Sequence, residues 1–107
     1  MIQVQSEIDA KPQALAGIRV IDFTWVRAGP WAVRWLGALG AQVIKVEWPL
    51  REIGRTFLVQ PGQQPNFNGS GNFNDTNANK LSITLNVRTL KGMDLIKQLI
   101  SQSDVVI

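Results

Sequence analysis

The chain has 107 residues, 45% hydrophobic and 18% charged, which is the size and composition of one folded domain rather than of a two-domain enzyme or a disordered tail. It contains no Cys and no His, which excludes a disulfide scaffold, a thiolate zinc site, a cysteine nucleophile, a His-ligated metal and self-contained Ser-His-Asp chemistry. Eleven Lys and Arg against eight Asp and Glu leave a net charge of +3, and the basic residues are scattered from Lys11 to Lys97 with no run that would mark a nucleic-acid surface.

Residues 1–10 carry Glu7 and Asp9 and lack a continuous apolar stretch, so they do not read as a secretory signal. The longest charge-free apolar segment, 35–44, is half of the roughly 20 residues that a membrane span needs. The expectation is a soluble, cytoplasmic protein with no membrane and no nucleic-acid partner. Residues 18–23 (Ile-Arg-Val-Ile-Asp-Phe) are short, β-branched and apolar almost throughout, which predicts a strand covered on both faces. Gly29-Pro30 is a helix entry, and a helix over 30–40 places Ala32, Trp35, Leu36 and Leu39 on one stripe expected to face the core, with Gly40 as its stop. A second strand follows at 42–47, and the interval between the strands suits a right-handed parallel crossover.

Residues 60–79 hold six Asn, three Gln, three Gly and two Pro, with Asp75 as the one charge. The whole stretch 48–79 reads as a long connection, functional, partly helical near 73–79, or packed on something else. Residues 81–87 alternate apolar and polar, predicting a strand with one exposed face. Thr89 can cap a helix running to about Gln102, whose Leu90, Met93, Leu95, Ile96, Leu99 and Ile100 cover enough circumference to predict burial on two sides. Residues 104–107 start a further buried strand. The fold class is therefore α/β, a Rossmann-like parallel sheet built from two βαβ units and truncated.

Several residues could carry chemistry. The connection Trp25-Val26-Arg27-Ala28-Gly29-Pro30 joins a strand's carboxyl end to a helix's amino end, where open α/β sheets gather anionic ligands; the same residues also fit a plain turn with a solvated Arg27. The three spaced glycines of a dinucleotide fingerprint are missing. Asp22 and Glu47 end the first two strands and could form an acid–base pair, although carboxylates at strand ends more often orient loop amides. Lys45 fits an edge or surface position as well as a functional one, and Asn77, Asn79 and Lys80 fit a turn into the third strand. If the first and third strands are neighbours, Arg27 and Arg88 converge on one phosphate-sized site. Trp35 is expected in the core, whereas Trp25 and Trp48 could stack on an adenine or mark a subunit contact.

Residues 15–23, Ala28-Gly29-Pro30 and 39–47, followed by 79–86 and 103–107, resemble in order and spacing the amino-terminal region of the family III CoA-transferases, a family that includes formyl-CoA and crotonobetainyl-CoA transferases and α-methylacyl-CoA racemases. The resemblance implies a partial Rossmann-like CoA-binding domain over 15–107, after an extension at 1–14. It implies CoA contacts at Arg27, Ala28, Trp48, Leu85, Asn86, Val87 and Arg88, no metal, and no tightly bound cofactor, with CoA or acyl-CoA as substrate. The formyl-CoA transferases carry Gln where Arg27 stands, and Trp48 and Leu81 each replace a basic residue. The family forms a mixed anhydride on an aspartate, and no residue here matches it, so no catalytic residue is assigned. The family forms interlocked dimers, a ring this chain is not expected to make; a homo-oligomer is expected instead from the exposed last strand and the wide apolar face of the helix after Thr89. The alternatives are a stand-alone oligomeric interaction module that keeps the fold without CoA chemistry, and a small binder of another nucleotide.

Overall fold

Adjacent β-branched residues, Val20-Ile21, Val43-Ile44 and Val105-Val106, build the sheet from which everything else hangs. In the computed structural model, which describes residues 12–49, 53–56, 62 and 66–107, the elements run β1 (Arg19–Asp22), α1 (Ala28–Ala38), β2 (Gln42–Glu47), α2 (Ile53–Thr56), α3 (Gly71–Thr76), β3 (Lys80–Thr84), α4 (Leu90–Ser101) and β4 (Val105–Val106). The four strands form one parallel sheet in the order β3-β2-β1-β4. The expected extension at 1–14 falls largely outside the described residues; of the connection at 48–79, residues 50–52, 57–61 and 63–65 do, and the part expected to be helical near 73–79 holds α3.

Both βαβ units are present, and they differ. β1, α1 and β2 join neighbouring strands in the register Val20 to Val43 and Asp22 to Lys45. The second unit carries the chain from β3 at one edge to β4 at the other, across two intervening strands, so β1 and β3 are not neighbours. The direction of winding reverses at β1, and α1 and α4 cover opposite faces. Val20 and Val43 pack with Val33 and Ala41 on one face, while Ile21 and Val46 pack with Ile96 on the other.

The helices correct the expected stripes. On α1 the buried residues are Pro30 and Val33, and Gly37 lies so near the turn before β3 that a Cβ there would sit 2.8 Å from the Asn79 carbonyl oxygen. Leu36 is half-buried against the core, but Ala32, Trp35 and Leu39 face outward, Trp35 at 51% exposure. The small residues pack because the helix lies close to the sheet and to the turn before β3; bulky ones would hold it off. Trp31 and Trp35 instead meet edge to face at 5.9 Å, with the Arg34 guanidinium over both rings. On α4 the Thr89 hydroxyl accepts from the Gly92 amide as expected, but one side alone is covered. Gly92 and Ile96 are buried and Leu99 and Ile100 partly so, whereas Leu90 is 89% exposed and Met93 and Leu95 also face out. The strand expected at 104–107 forms at Val105–Val106 and pairs with β1, yet Val105, Val106 and Ile107 are exposed rather than buried, since β4 is a sheet edge.

The contrast within α4 is measurable by chemical denaturation. Truncating Ile96→Ala opens a cavity between α4 and the sheet and should lower stability by about 2–4 kcal/mol. Leu90→Ala should stay within about 0.5 kcal/mol of the parent, as an exposed substitution does.

Candidate functional site

Strand alternation places a second, polar layer on the α1 face of the sheet. That face begins apolar, with Val20 and Val43, and continues toward the carboxyl ends as Asp22 on β1, Lys45 and Glu47 on β2, and Lys80 and Ser82 on β3. α3 lies over this layer and contributes buried Phe73 and Thr76, with its first turn capped by the Ser70 hydroxyl, which accepts from the Phe73 amide at 3.2 Å. Asp22, Lys45 and Glu47 are each at most 3% exposed. Charges buried to this extent persist when they are paired or hydrogen-bonded, and each of these has such partners.

The Lys80 ammonium donates to Asp22 Oδ2 at 2.8 Å, to the Pro30 carbonyl at 2.9 Å and to Asn77 Oδ1 at 2.9 Å. Asp22 Oδ1 accepts from the Thr24 amide at 2.8 Å and from its hydroxyl at 2.5 Å. The Lys45 ammonium donates to the Thr24 carbonyl at 2.8 Å. Glu47 takes a two-pronged contact from Arg55 at 2.6 and 2.7 Å and a third hydrogen bond from Ser82 at 2.6 Å. Arg55 is further flanked by the rings of Phe73 and Phe67, at 4.0 and 4.5 Å. Burial opposes ionisation of Glu47, but the hydrogen bonds from Arg55 and Ser82 and the charges of Arg55 and Lys45 outweigh it and hold the carboxyl below its ordinary value.

Asp22 and Glu47 are therefore not a free acid–base pair. Each is committed to its own cation, and Asp22 does what a carboxylate at a strand end commonly does, orienting loop amides. Lys45 is on an interior strand and 1% exposed, which corrects its placement at an edge or surface. Asn77 and Lys80 are more than a turn. Their role was hidden because Lys80 meets Asp22 across 58 positions of sequence; the available signal was that Lys80 and Ser82 share a strand face with the pattern of β2.

Above this layer the sheet ends in an open rim. At β1, where the winding reverses, Trp25 and Val26 are exposed, and Arg27, Ala28 and Trp31 line a shallow depression of about 310 Å³. Arg27 donates to Asn72 Oδ1 at 3.0 Å. At the ends of β2 and β3 the Arg88 guanidinium lies 5.1 Å from the centre of the Trp48 ring. The expected convergence of Arg27 and Arg88 fails in its premise, because β2 separates β1 from β3. They mark two parts of the rim. Leu85 and Val87 pack against the Ile21, Val46 and Ile96 cluster, and the Leu85 amide extends the β2–β3 ladder by donating to the Glu47 carbonyl. Asn86 Oδ1 accepts from the Arg88 amide at 3.0 Å and so turns the chain at the rim. Among the described residues no group of acidic side chains could hold a metal ion, and no helix is long and apolar enough to cross a membrane.

A parallel sheet with helices on both faces, a winding reversal and a basic, aromatic rim defines the α/β class that takes ligands at strand carboxyl ends. The model of CoA-transferase family III matches residues 15–107, and the chain belongs to that family. It is 43% identical over 95 residues to a formyl-CoA:oxalate CoA-transferase from Streptomyces avermitilis and 39% identical over 109 residues to a succinyl-CoA:glutarate CoA-transferase from Mus musculus. These alignments cover 89% and 96% of the chain but 22% and 23% of the relatives, so the chain spans less than a quarter of their length. A CAIB/BAIF family protein from Brucella suis superposes with a TM-score of 0.76 at 34% identity, over 90% of this chain and 25% of that one. An Rv3272 structure from Mycobacterium tuberculosis gives 0.74 at 39%, over 88% and 26%.

The Glu47 contacts have a pH signature. Because the folded carboxyl titrates below the unfolded one, its contacts stabilise the protein above the ordinary value of 4.5 and are lost as the pH falls through the folded value. Thermal melts of the parent and Glu47→Gln should differ most near neutrality and converge on acidification below that value.

Proposed function

We propose that these residues form the CoA-binding part of a family III CoA-transferase, taking CoA or an acyl-CoA as substrate rather than as a resident cofactor, in the cytoplasm. The observation that carries this reading is the Arg88 guanidinium stacked on Trp48 at adjoining strand ends, beside the open rim of Arg27 and Ala28. A guanidinium beside a ring still has donors for a phosphate oxygen, and the indole offers an apolar face to adenine. Asn86 sets the backbone from which Arg88 projects. Leu85 and Val87 would contribute main-chain and apolar contacts.

The acyl-transfer nucleophile is not among these residues in our reading. Asp22 is sealed and both its oxygens are engaged, Asp75 pairs with Arg34 at 3.3 Å, and Asp104 Oδ2 accepts from the Arg19 amide at the opposite, amino-terminal end of the sheet. Since no residue matches the nucleophilic aspartate that the family resemblance implies, the catalytic carboxylate would come from another part of the protein, and the residues above would bind and orient the CoA moiety.

Calorimetric titration with CoA tests the reading. Saturable binding is expected, and Arg88→Ala should weaken it about 10–100-fold through loss of a charge-assisted contact. ADP competing as well as CoA would instead favour a general nucleotide site, and no binding at millimolar CoA would overturn the reading for this chain.

A second reading is carried by a separate observation. Leu90, Met93 and Leu95 on α4 and Val105, Val106 and Ile107 at the β4 edge are exposed apolar groups, the kind of surface that copies of a chain cover between them. In that case the chain is a homo-oligomer. Sedimentation should then show a concentration-dependent increase in mass that Leu90→Lys reduces, and a clean monomer at high concentration would sink it.

A further inference from the structure

Val26 has φ of 67°, the left-handed region, which a β-branched side chain rarely enters. Such a conformation persists where its surroundings over-determine it. Here both sides of the residue are fixed. On the β1 side, Thr24 is held at three atoms: Asp22 accepts from its amide and its hydroxyl, and Lys45 donates to its carbonyl. On the α1 side, the Arg27 carbonyl accepts from the Trp31 amide at 2.9 Å within the first helical turn. Lys80 ties the two sides together, since one ammonium bridges Asp22 before the connection and the Pro30 carbonyl after it. The two sides also touch directly. A Cβ on Gly29 would lie 2.6 Å from Thr24 Cβ, so the absence of a side chain at Gly29 lets the connection fold back on itself.

We infer that Asp22, Lys45 and Lys80 are positioning residues: together they clamp the connection between β1 and α1 in a strained shape that presents Trp25, Val26 and Arg27 at the rim. The buried charges act through Thr24 and Pro30, and none of the three reaches the rim itself. A relaxed connection would let Val26 return to negative φ, which turns the peptides on either side of it and swings Trp25 and Arg27 away from their present directions. The strain is thus held by the ionic layer beneath, and the geometry of the rim depends on residues buried under it. The consequence for ligand binding rests on the CoA reading proposed above; the clamp itself does not.

A double-mutant cycle separates the two. Val26→Gly keeps every clamp contact and removes the strain, so it should raise the melting midpoint of the parent by about 3–6 °C. Thr24→Val removes the hydroxyl contact at constant shape and loosens the clamp. In that background Val26→Gly should add less than half the parental gain, because the connection has already relaxed. Equal increments in the two backgrounds, or a lowered midpoint for Val26→Gly in the parent, would overturn the inference. Lys80→Met offers the same cycle with a larger loosening, and the Thr24→Val cycle decides where Lys80→Met does not fold. CoA titration of the same proteins gives a readout that a purely structural layer would not move: Thr24→Val, which loosens the clamp, should bind CoA about 5-fold or more weakly than the parent. An unchanged CoA affinity in Thr24→Val would overturn the rim-positioning role, whereas a parent that binds no CoA refutes the proposed function and leaves the melting cycle to decide the clamp.

Discussion

The ion pair between Asp22 and Lys80 is the contact on which the arrangement of the strands' carboxyl ends depends. It is shut off from water, with both side chains at 2% exposure or less, and it joins elements 58 positions apart: β1, the start of β3 and, through the Pro30 carbonyl, the first turn of α1. A buried pair of this kind is weak evidence for net stability, because desolvating two charges offsets most of their attraction. Its strength lies in the asymmetry of its loss. Removing either partner leaves a charge that water cannot reach, at a cost of about 3–5 kcal/mol, so arrangements of the β1–α1 connection that separate the two are strongly disfavoured. Specificity of geometry, more than stability, is what the pair contributes.

The same logic extends along the α1 face of the sheet. Alternation puts Val20 and Asp22, Val43, Lys45 and Glu47, and Lys80 and Ser82 on one side, so the interior passes from apolar to ionic within two strand positions. The opposite face carries Ile21 and Val46 at the intervening positions and meets Ile96 of α4. One sheet thus has a dry side and a charged side. Arg55 and Phe73 close the charged side: the guanidinium makes a two-pronged contact with Glu47 and lies 4.0 Å from the centre of the Phe73 ring, leaving the Glu47 side chain 3% exposed. The short α3 has little helical stability of its own at six residues, and it holds its place through the Ser70 cap and through Phe73 and Thr76.

How much of this was legible in the sequence follows from the range over which each signal acts. The strands at 18–23 and 42–47 and the capped helix from Thr89 are local patterns, and the structure keeps them within a residue or two. The resemblance in segment order pointed to the family that the comparisons show. The face of α1 was misread because periodicity weights large apolar side chains, and Trp35 and Leu39 outweigh Pro30, Val33 and Gly37 in any such pattern; the close approach of the Asn79 carbonyl, which demands small residues, is a tertiary fact. Arg27 and Arg88 were joined on the assumption that β1 and β3 are adjacent. Strand order is not written in local pattern, and the crossover from β3 to the far edge separates them. Lys80 looked like part of a turn for the same reason, its partner being 58 residues away.

The rim and its foundation respond to different pressures. Beneath the rim the charged layer has no freedom: each named donor has an acceptor, and a substitution there leaves a buried group unmatched. At the rim, Trp25, Arg27, Trp48 and Arg88 are exposed or half-exposed, Arg27 donating to Asn72 and Arg88 lying beside Trp48. Two of the departures from the family's pattern, Arg27 and Trp48, fall in this layer, while the third, Leu81, lies on β3; Trp48 shows how such a change is absorbed. Where the resemblance leads one to expect a basic residue, the Trp48 ring supports the neighbouring Arg88 by a cation–π contact, so the rim keeps a positive group at the end of β3 and gains an aromatic surface beside it. The rim side chains thus stand exposed where the sheet ends, while the ion pair of Asp22 and Lys80 beneath them stays sealed from water.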